Sequence, residues 1–295
     1  MTEIAPYRPF HVRVAATTRL SPSFLRVTFT GDDVQAFGDH GYDQRIKVMF
    51  PLPEHGLADL SDGGDWYQRW RELPQERRNP IRTYTAREVR RGRGEFDVDF
   101  VLHGDGGPAS AWAQRAAAGD SVVIVGPDGR YEGPPSGLHW CPGAATRLLL
   151  AGDETAVPAV CAIAERLPAG AVGRILLEVP EPEDALGLHL PPGVRVDWLP
   201  RDGRPHGELL EPAVIQALAD LGVSGGEGSP VEDVDVDTDI LWETPEDTTG
   251  EFYAWLAGEA GVVKRLRRHL VQEAGVPRAQ VAFMGYWRHG RAEPQ

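Results

Sequence analysis

Six consecutive residues, Arg82 to Arg87, combine two guanidinium groups, two hydroxyls and an aromatic ring. The β-branched and aromatic residues of this stretch favour a short strand. Alternate side chains of a strand share a face, so Arg82 and Tyr84 would share one face. Thr83 and Thr85 would then share the other. The set suits a flavin with a phosphate tail, although an edge strand with a surface arginine and a packed tyrosine would look the same.

A glycine-rich segment follows the strand pattern that ends near His103. Three glycines between residues 104 and 107 would let the backbone approach a ligand closely. Pro108 fits the first turn of a helix that we expect to end near Ala118. The free N–H groups at such a helix start form an anion site. An ordinary strand-to-helix connection has the same pattern, but the arginine-containing strand before it favours a phosphate site.

The first half of the chain has the pattern of an antiparallel β domain. Apolar and polar residues alternate through several short segments, which is typical of half-buried strands. These segments are residues 12–14, 25–30, 46–50, 81–85 and 96–102, and the apolar run 122–125 adds a buried strand. Strands at such turn-separated intervals predict a barrel or a sandwich. The residues between 53 and 80 are interpreted as a long loop with at most one helical turn.

The second half changes to strands that alternate with helices. The predicted strands are residues 147–152, 174–179, 194–199, 252–258 and 281–287, and the predicted helices are 156–166, 211–221 and 259–273. This alternation predicts a doubly wound parallel sheet, which binds ligands at the carboxyl ends of its strands. The Pro- and Gly-rich residues 134–146 mark the boundary, so we expect domains at 1–143 and 144–295.

The net charge of −14 is concentrated in one segment. Residues 205–263 contain fourteen acidic residues and no lysine or arginine. No basic stripe dominates the chain, so a nucleic-acid partner is not expected. Within this segment, residues 222–239 are predicted to form a solvated loop. Asp233, Asp235 and Asp237 have part of the spacing of a calcium loop, but the glycine and final glutamate of that motif are missing, so no metal is expected.

The sequence also indicates a compartment. It contains no run of about 18 apolar residues and no secretory h-region near Met1, so neither a membrane span nor a signal peptide is expected. Cys141 and Cys161 are too few for an iron–sulfur cluster held by four thiolates, and we expect buried thiols in a reduced compartment. These features predict a cytoplasmic protein, and nothing demands more than a monomer.

The last predicted helix carries a basic cluster. Its members are Lys264, Arg265, Arg267, Arg268 and His269. At about 100° per residue, Lys264 and Arg268 lie opposite the apolar face of this helix. A solvated basic face is the usual interpretation, but the cluster could also hold an anionic ligand.

Five motifs in order along the chain carry a resemblance to a known family. They are RTYT at 82–85, DFVLH at 99–103 running into GPASAWA at 107–113, GDETAVP at 152–158, GEA at 258–260 with the basic cluster, and GYWRHG at 285–290. In this order they resemble the ferredoxin–NADP reductase superfamily. More specifically, the chain resembles the siderophore-interacting proteins, a family of flavin-dependent ferric-siderophore reductases.

The resemblance implies an antiparallel β-barrel domain that binds FAD and an α/β doubly wound domain that binds NADH or NADPH. The flavin ring and ribityl-phosphate end would be held by Arg82, Thr83, Tyr84 and Thr85. The residues along the flavin and ribityl chain would be Asp99, Val101 and His103, and those on the pyrophosphate side Pro108, Ala109, Ser110 and Trp112.

The same resemblance implies sites for the nucleotide and the substrate. The nicotinamide nucleotide would meet Gly152, Asp153, Glu154, Thr155, Gly258 and Glu259, with Trp287 or Tyr286 near the flavin ring. A basic substrate pocket would use Lys47, Arg130, Lys264 and Arg268.

The implied activity is transfer of electrons from NAD(P)H through FAD to siderophore-bound Fe(III), with release of Fe(II). No side-chain acid or base is required, so no catalytic residue is assigned. Two alternatives remain: a flavin reductase that passes electrons to a protein partner, and a non-catalytic siderophore-binding protein. The siderophore class and the choice between NADH and NADPH stay open at this stage.

Overall fold

A computed structural model gives the fold of residues 4–60, 65–102, 107–223, 241–245, 248 and 250–290. The chain divides into two compact units, one up to Leu138 and one from His139. Some expectations fall outside the described residues. These are the role of His103 and most of the acidic loop 222–239, including Asp233, Asp235 and Asp237.

The first unit is built on one antiparallel sheet. Its strands are β1 (Tyr7–Arg19), β2 (Phe24–Thr30), β3 (Arg45–Met49), β4 (Ile81–Thr85), β5 (Glu88–Arg90), β6 (Glu95–Val101) and β7 (Ser121–Pro127), in the spatial order β4-β3-β7-β1-β2-β6-β5. The sheet curls on itself. Its two ends come together, as shown by Tyr84 on the edge strand β4 and Phe100 of β6, whose ring centroids are 4.5 Å apart. The expected barrel domain is therefore confirmed.

A helix covers the interior of this barrel. It is α2 (Pro108–Arg115), which starts at the expected proline and ends three residues before Ala118. Trp112 projects from it into the core, where its ring lies 5.4 Å from that of Phe50 and 5.7 Å from that of Phe100. Burial of one such aromatic side chain contributes about 2–3 kcal/mol, so α2 is held against the barrel chiefly by Trp112.

The long connection between β3 and β4 contains more structure than the sequence predicts. It holds α1 (Trp66–Glu72), about two turns rather than one. Trp70 is buried under it, and its indole N–H donates to the carbonyl oxygen of Asn79 at 3.0 Å. Composition alone indicated a loop here, because the Pro, Gly and charged residues conceal the few aromatic residues that pack.

The second unit is a doubly wound sheet, as expected. Its strands are β8 (Arg147–Gly152), β9 (Val172–Val179), β10 (Gly193–Pro200), β11 (Trp242–Glu243), β12 (Phe252–Glu259) and β13 (Val281–Trp287), in the order β10-β9-β8-β12-β13-β11. All neighbours are parallel except the short edge strand β11. The strand order reverses between β8 and β12, which makes their carboxyl ends the switch point where such sheets bind ligands.

Three helices pack on this sheet. They are α3 (Val157–Ala164), α4 (Leu210–Asp220) and α5 (Ala260–Arg268). The last helix was expected to run to Glu273. In the structure its α-helical part ends at Arg268, and a π-helical turn covers His269–Glu273. Among the described residues, no helix is both long and apolar enough to cross a membrane.

Candidate functional sites

The register of β4 against β3 fixes the faces of the arginine-containing strand. Ile46 is paired with Tyr84, and Lys47 with Thr83. Directly opposed residues of a sheet share a face. Tyr84 therefore lies with Ile46 on the side of the barrel core, where its half-buried ring rests on Phe100. Thr83 and Lys47 share the opposite face.

Arg82 lies on the same face as Tyr84. It is partly buried, and its Nη1 donates to the carbonyl oxygen of Ile81 at 2.7 Å. Thr85, at the end of β4, is 8% exposed. The expected pair of a ring and a cation on one strand face is therefore present.

The start of α2 supplies backbone donors. Its first backbone hydrogen bond runs from Ala111 N to Gly107 O, at 3.0 Å. The N–H groups of Ala109 and Ser110 precede that bond and point out of the helix start. A Cβ added to Gly107 would meet no atom of the described residues within 4 Å, so none of them fills the space beside this helix start. Pro108 cannot donate, and Trp112 serves the barrel core.

Asp99 is committed within the protein. It is 3% exposed, and its carboxylate accepts two hydrogen bonds from the Arg26 guanidinium, at 2.7 and 2.8 Å. Arg87 lies 3.6 Å from the same carboxylate. Val101 ends β6 and is also almost buried. The Asp99 carboxylate is thus used within the barrel wall. It would contribute to flavin binding by fixing its neighbours and not by direct contact.

The two basic residues expected from the first unit differ in their surroundings. Lys47 is partly buried on β3. Arg130 follows β7 and donates through Nε and Nη2 to the buried Asp128, at 2.9 and 2.5 Å. Because this pairing and the nearby Arg8 lower the pKa of Asp128, the carboxylate stays ionised and offsets part of the charge of Arg130.

In the second unit, Asp153 joins the carboxyl ends of three adjacent strands. It follows β8 and is 3% exposed. Its Oδ1 accepts from the N–H and the hydroxyl of Thr155, at 2.9 and 2.5 Å. Its Oδ2 accepts from Glu259 N at the end of β12 and from Trp287 Nε1 at the end of β13, both at 2.7 Å. Burial and the neighbouring Glu154 raise the pKa of Asp153 to about 6.

The two glycines of this site allow the close packing around Asp153. A Cβ on Gly152 would lie 2.5 Å from the carbonyl oxygen of Ala257. Gly258 has a φ of +147°, and a Cβ there would lie 2.7 Å from Asp153 Oδ2. Any larger residue at position 258 would be strained and would displace the carboxylate.

Glu154 belongs to a second buried cluster. Arg201 donates to it through both terminal nitrogens, at 2.6 and 2.8 Å, and His206 Nε2 lies 3.2 Å from the same carboxylate. Burial would raise the pKa of Glu154, but the hydrogen bonds from His206 and Arg201 outweigh it and hold the pKa at about 2. The hydrogen bond to Glu154 in turn raises the pKa of His206.

A cleft of about 560 Å³ opens beside this cluster. It is lined by residues 180–183 after β9, residues 201–204 after β10, and His206, and is called here the β9–β10 cleft. It lies at the carboxyl ends of the strands, where doubly wound sheets bind nucleotides. The ring of His206 also meets the edge of Trp287, with centroids 4.8 Å apart, so the cleft and the Asp153 cluster are adjacent.

The basic cluster on α5 is largely neutralised by neighbouring carboxylates. Arg265 is bonded to Glu211, and the buried Arg267 to Glu243. Lys264 and Arg268 are four residues apart and so lie on one side of the helix. Lys264 is partly buried, whereas Arg268 is 74% exposed on its side chain with Glu273 3.9 Å away. These two residues make up the basic face that faces solvent.

Sequence reasoning missed Arg201 and His206. Both follow β10, and the rule that ligands bind after the strands of a doubly wound sheet was the available signal. Their partner Glu154 was expected to touch a nucleotide, but it is 5% exposed and occupied by these two side chains. Glu259 is likewise occupied as the N-cap of α5, accepting from Val262 N at 2.9 Å.

The fold, a barrel domain followed by a doubly wound sheet, is the architecture of ferredoxin reductase-like structures. The family model of the siderophore-interacting FAD-binding domain matches residues 13–131, and that of the siderophore-interacting protein matches residues 145–290. The chain therefore belongs to the siderophore-interacting protein family.

Individual relatives agree with this assignment. The ferric vibriobactin reductase of Vibrio cholerae is 31% identical over 93% of this chain and 87% of its own length. An NADPH-dependent ferric-chelate reductase of Escherichia coli is 27% identical over 93% of this chain and 91% of that protein. The crystal structure of a siderophore-interacting protein from Aeromonas hydrophila is 33% identical, with a TM-score of 0.71 over 98% of this chain and 94% of that one.

The residues of the first unit fit FAD. Tyr84 offers a partly exposed ring, and Arg82 offers a cation on the same strand face. The open space at Gly107 would admit a phosphate beside the first N–H groups of α2. An ordinary strand-to-helix connection with a side chain in that space would not admit a phosphate.

Proposed function

We propose that this protein is a ferric-siderophore reductase that uses FAD and a nicotinamide nucleotide. The observation that carries the proposal is the near full-length similarity to a ferric vibriobactin reductase, together with a barrel strand and a helix start suited to a flavin. The nucleotide-type sheet supplies the place for an electron donor. This combination favours an enzyme over a protein that only binds siderophores.

The first unit would bind and orient the flavin. When bound, FAD would accept hydride from the nicotinamide and pass electrons singly to Fe(III). Arg82 would neutralise phosphate charge, and the N–H groups of Ala109 and Ser110 would donate to phosphate oxygens. Tyr84 would lie against the ring system, held in place by Phe100. Thr83 and Thr85 would supply polar contacts near the same strand.

The second unit would bind the electron donor at the switch point between β8 and β12. Asp153 holds three strand ends in a fixed relation, so the surface around Gly152, Gly258 and Trp287 is rigid before a nucleotide arrives. Such a preorganised surface lowers the entropic cost of binding. The β9–β10 cleft would take the end of the nucleotide remote from the nicotinamide.

Substrate recognition would rest on charge. A ferric siderophore with a net negative charge would be attracted to basic side chains, Lys47 and Arg130 on the first unit and Lys264 and Arg268 on the second. The ion pair with Asp128 would reduce the contribution of Arg130. No acid or base is needed at the iron, since Fe(II) binds hard oxygen ligands more weakly than Fe(III) and leaves after reduction.

The direct test is an assay of NAD(P)H-dependent iron release. Purified FAD-loaded protein would be mixed with NADH or NADPH and a ferric siderophore, and Fe(II) would be trapped by a coloured ferrous chelator. The proposal predicts trapping that depends on protein, nucleotide and FAD. If the nucleotide reduces the flavin but no ferric siderophore is reduced, a protein electron acceptor becomes the better account. Absence of bound flavin, together with failure to take up FAD, would contradict the proposal.

A further inference from the structure

The charges around the β9–β10 cleft are unbalanced. The single arginine buried in its wall, Arg201, is 6% exposed. Both of its terminal nitrogens are bonded to Glu154, and Nη1 also lies 3.7 Å from the fully buried Glu178. Its positive charge is therefore already compensated inside the protein, and both terminal nitrogens are used by Glu154 rather than offered to a ligand in the cleft.

Glu178 cannot turn toward a ligand either. Its carboxylate accepts from the backbone N–H groups of Gly207, Leu209 and Leu210, at 2.9 to 3.2 Å, at the start of α4. It is thus fixed as the anchor of that helix start. The part of the cleft that a ligand meets is set by the more exposed residues around it.

The exposed rim of the cleft is mainly acidic. Glu181, Glu183 and Asp202 are all exposed, and no described cation pairs with the carboxylates of Glu183 and Asp202. The remaining cation, Arg204, is half exposed and lies 3.7 Å from Glu208. His206 is bonded to Glu154 and so shares that carboxylate with Arg201.

Glu183 and Asp202 differ from Glu181 in what holds them. The backbone N–H of Glu181 donates to the Asp184 carboxylate and its carbonyl oxygen accepts from Asp184 N, both at 3.1 Å, so Glu181 shapes the loop after β9. Glu183 and Asp202 have no such role among the described residues, and their carboxylates are available to accept hydrogen bonds. They come from two different strand ends that border the same cleft.

We infer that the cleft selects a nucleotide whose ribose carries a free 2′-hydroxyl, so that NADH is preferred to NADPH. The inference rests on the proposed function. A ribose hydroxyl can donate to a carboxylate, and this is how acidic side chains read NADH in doubly wound folds. A 2′-phosphate carries up to two negative charges at neutral pH. It would meet Glu183 and Asp202, whereas the one exposed arginine of the lining, Arg204, shares its charge with Glu208. Like charges brought together lower affinity.

This choice is specific to the residues of this chain and does not follow from family membership. The Escherichia coli relative is named as NADPH-dependent. In this chain the commitment of Arg201 to Glu154, and the acidic rim, are what point the other way.

The test compares the two nucleotides in the reductive half-reaction. FAD-loaded protein would be mixed anaerobically with NADH or NADPH in a stopped-flow instrument, and the bleaching of the flavin would give a second-order rate constant for each. The inference predicts that NADH is at least about tenfold more efficient, equivalent to about 1.4 kcal/mol. Glu183→Lys should lower the NADH-to-NADPH ratio severalfold, chiefly by improving NADPH.

A matched control is available at the amino ends of the strands of the same sheet, opposite the carboxyl ends that border the cleft. Glu251→Lys makes the same charge change at an 81% exposed side chain just before β12, away from the strand carboxyl ends. This variant should leave the NADH-to-NADPH ratio unchanged. In the wild type, the ratio of the two second-order rate constants should not depend on nucleotide concentration. Equal or better use of NADPH by the wild type, or a ratio that Glu183→Lys does not alter, would overturn the inference and leave the proposed reductase intact. Flavin that neither nucleotide reduces would overturn both.

Discussion

The indole Nε1 of Trp287 donates to Oδ2 of Asp153 at 2.7 Å, and this contact joins the last residue of β13 to the first residue after β8. The other groups bonded to the carboxylate are also donors, from Thr155 and from Glu259 N. A deprotonated carboxylate is the one side chain of this size that can accept from all of them. The orientation of Trp287 is therefore set by the charge state and identity of residue 153.

Replacement of Asp153 tests this arrangement. Asp153→Asn puts an amide NH₂ where donors converge, so we expect the free energy of unfolding to fall by about 2–4 kcal/mol, as expected when buried hydrogen bonds are lost. Urea denaturation would measure the loss, and the near-UV circular dichroism of the indole would report its altered position. In the Trp287→Phe background the same substitution should cost less, because one donor is already gone. Equal costs in both backgrounds would show that the two side chains are not coupled.

Removal of the Arg82 cation tests the flavin site. Arg82→Ala should weaken FAD binding about tenfold to a hundredfold, since a charge-assisted hydrogen bond contributes about 1.5–3 kcal/mol. The measurements are the ratio of flavin to protein absorbance after purification and a titration of the apoprotein with FAD. Arg93→Ala, at an exposed arginine of the same unit, should retain full flavin. Full occupancy in Arg82→Ala would remove Arg82 from the site.

The pair of His206 and Glu154 predicts a pH dependence of stability. The folded protein raises the pKa of His206, because Glu154 favours the imidazolium form. The stabilisation is therefore fully present below the ordinary histidine pKa of about 6.5 and is lost as pH rises through the folded-state pKa. Wild type should exceed His206→Gln in free energy of unfolding by more at pH 6 than at pH 9. The exposed His189→Gln is the control and should show no such trend. A difference that grows with pH would contradict the assignment.

Charge reversal on α5 tests the basic face. Lys264→Glu should raise the KM for an anionic ferric siderophore by about threefold to tenfold, because the local potential changes sign. The rate of flavin reduction by the nucleotide should stay unchanged. Arg195→Glu, at an exposed position on β10, is the control for the change in net charge. A KM that responds equally to both variants would indicate a general charge effect and not a pocket.

The sequence predicts the fold better than it predicts the site. Alternation and apolar runs depend on neighbouring residues, so the longer strands of both units and the start of α2 at Pro108 could be located from sequence. The short strands β5 and β11 were not predicted, because two or three residues carry too little pattern. The length of α1 could not, because it depends on the packing of Trp70 under a loop-like composition.

The site depends on contacts between distant residues. Glu154 and Arg201 are 47 positions apart, and no local pattern shows that each is occupied by the other. In the same way, the neutralisation of Arg265 and Arg267 by Glu211 and Glu243 reduces a basic cluster that looks stronger in the sequence than it is in the fold. Residue types and their order were enough to indicate the family. Which carboxylate neutralises which arginine depends on the three-dimensional fold.

The measurement that tests the central claim most directly is the anaerobic visible spectrum of the FAD-loaded protein. The flavin would be bleached with dithionite, the excess reductant removed, and a ferric siderophore added. The account predicts that the oxidised flavin spectrum returns with the ferric complex. The gallium(III) complex of the same siderophore, equal in charge and shape but not reducible under these conditions, should leave the flavin bleached. A flavin that stays bleached with every ferric siderophore tried would contradict the claim that siderophore-bound iron is the electron acceptor.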